Sequence, residues 1–420
     1  MRRITSLAIT CAFIACVSAV SMASTVQVGG CLSGLVNFTS IQAAIHAVPP
    51  GSTIKVCPGD YYEQLLITKK LSLVGIPSGT SPTANAVVIH PPAAGLVANT
   101  SDERGAVAAQ ILVQRPQTAA PIGLVSISNL TVDGTGNNYN TDDLRGILYQ
   151  DAGGTVNHVA VRNELPGDTF SGIQSGQGIM VETTNFQGTT VTLNVLSSSV
   201  HNYNKNGILA RHAGATLNAT GNYVQGNGPT TVIAQNGIEL AYEGAAGTIK
   251  GNTVIDNFYT QADATASDIL LYDAAENGVV VSGNTLGNSN VPISLYAATP
   301  GTYGDNVSVT LNKIFGTSAF DGIDACSNGN TITSNTIFNS AQSGIHLDAG
   351  CGGTTGNSNG VSGNTIEESA CAGILDDTGS NTIGTNTYYT VPFQVTNSTT
   401  SCTIPPAIAR AAKTVNRFKP

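Results

Sequence analysis

Asp324, His346, Asp348 and Asp377 are residue types that move protons or hold cations, and they fall at matching places in a recurring phrase. That phrase is Gly-Ile, found at Gly146-Ile147, Gly178-Ile179, Gly207-Ile208, Gly237-Ile238, Gly322-Ile323, Gly344-Ile345 and Gly373-Ile374, with Asp268-Ile269 and Pro292-Ile293 as variants. With Gly counted as zero, positions +1 and +3 are mostly apolar and face inward on a strand, so +2 and +4 face out. The outward +2 column includes Glu239, Asp324 and His346; the outward +4 column includes Glu182, Arg211, Tyr272, Tyr296, Asp348 and Asp377. Equivalent positions in neighbouring coils lie about 4.8 Å apart, which sets Asp324 beside His346 and Asp348 next to Asp377. Asp324 and Asp348 are diagonal, with Cα atoms on the order of 8 Å apart. Such a pair can host a water and a glycosidic oxygen, as inverting hydrolysis requires, one carboxyl as acid and the other as base, with His346 tuning both. Asp348 and Asp377 can instead hold a cation such as calcium. Tyr272 and Tyr296 offer platforms for sugar rings, and Glu239 and Arg211 are further substrate-binding positions on the same face. The plainer alternative is a solvated polar face, an ordinary aromatic ladder and a cross-coil Glu182–Arg211 ion pair.

The elements that must position these residues follow from the repeats. A second phrase, Gly-Asn followed by a β-branched residue, recurs at Gly221-Asn222, Gly251-Asn252, Gly283-Asn284 and Gly363-Asn364, with degenerate copies at Leu311-Asn312 and Ser334-Asn335. Spacings of 22 to 32 residues mean a stacked repeat. Alternating stretches such as Val156–Val161 and Val307–Leu311 read as short strands between turns. One such coil cannot bury its apolar face alone; parallel stacking into a β-helix does so. Asn suits the corners because it tolerates left-handed backbone, and stacked amides can form ladders. At the N-terminal end, Thr39-Ser40-Ile41-Gln42 reads as a capping box opening a short helix, with Ile41, Ala44, Ile45 and Val48 on its apolar face. Pro49-Pro50-Gly51 ends it. The segment after Pro405-Pro406 reads as a capping helix or a basic tail.

Composition narrows the function classes. A net charge of −9 argues against nucleic acid and anionic membranes as partners, and weighs mildly against polyanions unless a local basic patch intervenes. Arg2 and Arg3, the apolar run Ile4–Val20 and Ser21-Met22-Ala23 form a secretory signal, cleaved before Ser24. No other segment is long and apolar enough to span a bilayer. The expected organisation is therefore a signal peptide at 1–23, a β-helix with its N-terminal cap at 24–402 and a tail or cap at 403–420, secreted or periplasmic. Six cysteines remain after the signal, an even number that favours disulfides. Proximity in a coil stack favours Cys31–Cys57, Cys326–Cys351 and Cys371–Cys402.

The stretch Phe38–Ile45, then Pro58-Gly59-Asp60-Tyr61-Tyr62-Glu63, then Leu71–Gly75 resembles the entry to the pectin-lyase-like superfamily, and the later repeats resemble the generic parallel β-helix repeat. The resemblance spans Phe38 to Thr387 and implies an all-β, single-stranded right-handed parallel β-helix with a short N-terminal capping helix. It implies no particular reaction. The pectin methylesterase, alginate epimerase and polygalacturonase motifs are missing; Asn140-Thr141-Asp142-Asp143 matches one polygalacturonase element but sits in a polar turn. The expectation is an exported protein that acts on or binds polysaccharide, in its concrete form a glycoside hydrolase using Asp324 and Asp348. The alternatives are a non-catalytic surface, adhesive or glycan-binding solenoid, and a polysaccharide lyase with Arg211 or Lys205 as base. A copper-handling role is disfavoured by six His and three Met. No sequence feature specifies an oligomeric state.

Overall fold

The computed structural model describes residues 22–76, 85–116, 120–140, 143–184, 188–315, 320–351 and 355–397. Nearly all of the signal segment, Asn140's neighbours Thr141 and Asp142, Cys402 and the 403–420 tail lie outside the described residues.

Each coil carries three short strands rather than one continuous one, because Asn and Gly corners interrupt the pairing. One full coil runs through Val191–Leu196, Ser199–Tyr203 and Asn206–Arg211. Among the described residues the coils stack into three sheets of 14, 12 and 13 strands. All pairings are parallel except Thr100–Asp102, which folds back antiparallel on Gly105–Gln114 in the third sheet. The third sheet carries the Gly-Ile phrase. There Ile147, Ile179, Ile208, Ile238, Ile269, Ile293, Ile323, Ile345 and Ile374 lie in register, coil upon coil, and every one is fully buried. A matching interior column in the first sheet runs Ile249, Val281, Val309, Ile332 and Val361. Stacking thus removes from water the apolar face that a lone coil would expose.

The two glycine phrases have different physical causes. Gly221, Gly251, Gly283 and Gly363 have φ between 64° and 69°, the left-handed region that glycine enters without strain. In the degenerate copies Leu311 and Ser334 take the same conformation, at φ 60° and 59°. The glycine of Gly-Ile is instead required by close approach. A Cβ on Gly207 would lie 2.5 Å from Val224 Cγ1 and 2.6 Å from the carbonyl oxygen of Gly237 in the next coil. Gly178, Gly237, Gly322 and Gly344 meet the same obstacle, a neighbouring carbonyl at 2.6–2.8 Å. Gly207→Ala is therefore expected to destabilise the protein by about 1–3 kcal/mol, the usual cost of overpacking. Denaturant midpoints of the variant and wild type would check it, and an unchanged midpoint would refute the packing argument.

The asparagines after the first phrase form one continuous amide ladder. Along the series Asn222, Asn252, Asn284, Asn312, Asn335, Asn364 and Asn386, each of the first six donates from Nδ2 to the Oδ1 of the next, at 2.9–3.0 Å. Each Oδ1 also accepts the backbone N–H of the preceding Asn, for example Asn284 Oδ1 from Asn252 N at 2.9 Å. These groups sit in the buried corner, where an unpaired amide would be costly.

The N-terminal helix spans Ile41–Ala47 and packs Ile41, Ala44 and Ile45 against Thr25–Val28, Ser52–Val56 and Leu65–Ile67. Its N-cap is Ser40, one residue later than the expected box, and Ser40 Oγ accepts from Ala43 N at 3.2 Å. Glu63, distant in sequence, completes the cap by accepting from Ser40 Oγ, Ile41 N and Gln42 N at 2.8–2.9 Å. Gln42 turns away from the cap and pairs with the Leu66 backbone, its Oε1 accepting from Leu66 N at 2.8 Å. Cys31 and Cys57 form a disulfide beside this end.

Candidate functional site

The N-terminal half of the outer face of the third sheet is roofed, not solvated. Leu148, Met180, Leu209 and Leu270 in the +2 column are all buried, as are Gln150, Glu182 and Arg211 in the +4 column. The fold-back strand Thr100–Asp102 and its turn lie over the N-terminal half of the face. Gln150 Nε2 donates to Ser101 O at 2.9 Å, and Arg211 is paired with Asp102. Arg211, expected to meet substrate, is fully enclosed: it bonds Asp102, Glu182 at 2.6 Å and Glu103 at 3.1 Å. Burial alone would lower its pKa, but those three carboxylates hold it above the ordinary value. It is the centre of an ion network, and the cross-coil Glu182 pair is part of that network. Asp143, from the polar turn, is likewise buried and pairs with Arg145 at 2.6 Å.

Further along, the face brings together Asp324, His346, Asp348 and Asp377. Asp324 and His346 are register partners on adjacent strands, Ile323–Cys326 and Ser343–Leu347. His346 Nδ1 lies 3.2 Å from Asp321 Oδ2 and 3.9 Å from both Asp324 Oδ1 and Asp348 Oδ2; its Nε2 lies 3.1 Å from Asp377 Oδ2. Burial favours the neutral ring, but Asp321 foremost, with Asp377 and Asp348, holds His346 well above its ordinary pKa, which favours the protonated ring among the four Asp side chains. Asp348 Oδ1 also accepts from Gly350 N at 2.6 Å. Oxygens of Asp324 and Asp348 come within 4.8 Å of each other. At that separation the two carboxyls leave no room for the interposed water that inversion requires. His346, Asp348 and Asp377 each offer an atom within 4.8 Å of the others, a spacing open to a cation, although the imidazolium already supplies positive charge there.

Asp321 was not singled out by the alternation argument, and the reason is local. The Gly of each Gly-Ile phrase drops out of the register pairs, as in Arg145↔Gln177 followed directly by Ile147↔Ile179. The residue before Gly thus joins the outer face. In the register pairs that extra column runs Arg145, Gln177, Asn206, Asn236 and Ser267, and Asp321 holds the matching place in sequence, two residues before Ile323.

Between the two charged regions runs an aromatic ladder. Tyr272 and Tyr296 are register partners whose rings stack at 5.2 Å and 6°. Tyr242 meets Tyr272 edge-on at 5.8 Å, and His212 leans on Tyr242 at 5.8 Å. Tyr296 packs directly on the Cys326–Cys351 disulfide, whose sulfurs lie beside Asp324 and Asp348. Cys371 is also disulfide-bonded. At the other end of the ladder lies a small niche lined by Arg104, Lys205, Asn206, Asn236, Glu239 and Tyr242. Glu239 is 8% exposed. Its Oε2 accepts from both Asn206 and Asn236, the latter at 2.9 Å. Burial raises the Glu239 pKa in spite of Lys205 nearby, and burial lowers that of Lys205 in spite of Glu239.

With this geometry the fold is a parallel β-helix of three sheets. No family model matches the chain, and no curated protein matches it in sequence. Among solved structures it is similar to a GH136 lacto-N-biosidase from Eubacterium ramulus, with TM-score 0.54, 11% identity, and 89% of this chain and 68% of that one covered. It is also similar to the A-module of mannuronan C-5 epimerase AlgE4 from Azotobacter vinelandii, with TM-score 0.47 and 17% identity over 85% of this chain and 92% of that one. A third is the DFA-IIIase of Arthrobacter chlorophenolicus A6, with TM-score 0.47 and 14% identity over 89% of this chain and 99% of that one. At these identities the likeness is one of fold.

Proposed function

We propose that this chain is an exported right-handed β-helix that binds polysaccharide along the outer face of its third sheet and cleaves glycosidic bonds at Asp324 and Asp348. The observation that carries this is the Tyr272–Tyr296 stack, which ends on the Cys326–Cys351 bridge beside those two carboxyls. The half-buried Tyr272 offers the open apolar edge of this ladder to a sugar, and a carboxyl pair at the end of the ladder suits proton transfer to a leaving oxygen. The close approach of the two carboxyls favours double displacement with retention over attack by an interposed water. His346 then acts as a positioning residue that holds the two carboxyls in place. The lacto-N-biosidase likeness, to a protein that acts on a glycan, agrees with a carbohydrate substrate. Export agrees with the disulfides at both ends and with the signal segment. No helix among the described residues is long and apolar enough to cross a membrane. The helix Ile41–Ala47 serves as the N-terminal cap, closing the apolar edge of the first coil.

Reducing-sugar release and unsaturated-product absorbance on a panel of plant and bacterial polysaccharides tests the reaction, with and without calcium. Asp324→Asn and Asp348→Asn are each expected to lower turnover about 100- to 10,000-fold. Unsaturated product would move the chemistry to β-elimination. Tight binding with no turnover on any substrate would leave a binding solenoid and remove the catalytic roles.

A further inference from the structure

The Cys326–Cys351 bridge and the two carboxyls beside it converge in a way that neither a disulfide nor hydrolysis requires. Asp324 and Cys326 alternate on the strand Ile323–Cys326, so both side chains leave the same side. Asp348 follows the next strand, Ser343–Leu347, and Cys351 returns to it through the turn at Gly350, whose N–H donates to Asp348 Oδ1 at 2.6 Å. Each arm thus delivers one aspartate and one cysteine, in the spacings Asp-x-Cys and Asp-x-x-Cys. The Cys326 sulfur lies 3.5 Å from Asp324 Oδ1, and the Cys351 sulfur 3.3 Å from Asp348 Oδ2. One atom from each of the four residues lies within 4.8 Å of the other three, and all four residues are buried. A disulfide sulfur has no proton to give a carboxylate, whereas a thiol or a cation shared by the two arms answers it. His346 Nδ1 lies 3.9 Å from both Asp324 Oδ1 and Asp348 Oδ2, where the outer partner that orients metal-binding carboxylates is found. Tyr296 packs on the sulfurs and keeps that side dry. The Cys31–Cys57 bridge lacks this setting, the polar side chain beside its Cys57 sulfur being Gln27 at 3.8 Å.

We infer that Asp324, Cys326, Asp348 and Cys351 form a four-ligand site for a zinc-class divalent cation when the bridge is reduced, the disulfide being the metal-free state of the same site. Opening the bridge takes two electrons and two protons from a dithiol, which leaves as its own disulfide, and Cys326 and Cys351 become thiols. The cation then takes both sulfurs as thiolates, and the two thiol protons pass to solvent. The cysteine Cα atoms, 5.6 Å apart, stay where the strands hold them, and the sulfurs part by side-chain rotation. Two thiolates and two carboxylates make a closed tetrahedral set that suits zinc, and the soft sulfurs select it over calcium and magnesium. The inference goes beyond the hydrolase reading, because it concerns a second state of the chain. A bound cation holds Asp324 and Asp348 away from a sugar, so loading the reduced protein silences any turnover that the pair supports.

Zinc titration of the full exported protein tests the inference, comparing the disulfide form with protein reduced by a phosphine and freed of it under argon. The reduced form is expected to bind one zinc ion at least about 100-fold tighter than the disulfide form. Cobalt in place of zinc should give the near-ultraviolet band of thiolate-to-metal charge transfer and the visible bands of a tetrahedral site. The double variant Cys326→Ser/Cys351→Ser should lose both signals, and Cys31→Ser/Cys57→Ser, which removes the N-terminal bridge, should keep them. Asp324→Ala and Asp348→Ala retain every cysteine and should each weaken zinc binding by about 10- to 100-fold. Protein made in a reducing cytoplasm with zinc in the medium reads the same site without chemical reduction, as one zinc per chain in native mass spectrometry. No zinc in either preparation, or equal zinc in Cys326→Ser/Cys351→Ser, would overturn the inference. A cobalt complex without the thiolate band, or affinity unchanged in both aspartate variants, would do the same. None of these readouts needs turnover, so loss of the hydrolase reading leaves the zinc site standing, and loss of the zinc site leaves that reading untouched.

Discussion

His346→Gln is expected to cost the protein about 3–5 kcal/mol, the scale on which removing one partner from a buried ion cluster leaves charge uncompensated. Asp321, Asp324, Asp348 and Asp377 all face this one ring, and all but Asp377 are buried. Glutamine fills similar space and donates one hydrogen-bonding group, but it brings no charge. The effect carries a sign in pH. A histidine whose folded pKa is raised contributes stability that is fully present below its unfolded value of about 6.5 and is lost as pH rises through the folded value. The His346 shift is upward and large, so wild type should lose stability from mildly acid to alkaline pH, and the variant should lack that component. Guanidinium unfolding of both proteins at pH 5.5, 7.5 and 9 measures it. Parallel curves with equal midpoints would show that the ring carries no charge in the folded state.

Asn284→Ala is expected to be nearly as damaging for an unrelated reason. In the ladder, Asn284 Oδ1 accepts Asn252 N and Asn252 Nδ2, and Asn284 Nδ2 donates to Ile249 O and Asn312 Oδ1. Alanine leaves Asn252 N, one Asn252 amide hydrogen and Ile249 O without partners in a dry corner. At about 1–3 kcal/mol for each buried orphan, partly offset by relaxation, the loss comes to about 3–5 kcal/mol. Asn386, at the ladder's partly exposed end, gives the internal control, because water can replace its bonds. Asn386→Ala should cost no more than about 1 kcal/mol. Amide exchange around Asn252 and Asn284 should accelerate in the first variant only. Equal costs at both positions would mean that the ladder is not what holds the corner.

Much of this architecture is readable in the sequence because a solenoid repeats the same local problem in every coil. The left-handed turn before each ladder asparagine selects glycine, and the close approach of coils at the third sheet selects it again. Two periodic glycine phrases therefore record two different constraints in the bare sequence. The inward isoleucine column, the amide ladder and the Cys31–Cys57 and Cys326–Cys351 pairings follow from period and proximity. The juxtaposition of Asp324, His346 and Asp348 also followed, since strand register in a parallel stack converts sequence spacing into distance.

Other features depend on segments that leave the repeat. The cap of the first helix is completed by Glu63, because a carboxylate from the connection after Gly59–Tyr62 outcompetes the local Gln42 that a capping box would use. Arg211 looks exposed in an alternating strand. The fold-back at Thr100–Asp102 roofs it and supplies Asp102 from 109 residues away. Asp321 reaches the His346 ring from just before the strand Ile323–Cys326, outside the paired residues. The sequence by itself thus determined the coil, its interior and the order of groups along each column, since those depend on period and on chain-local sterics. Which outer-face groups are enclosed, which are paired and which open onto a niche was decided by tertiary structure, because burial and charge compensation depend on what non-repeating chain is laid over them.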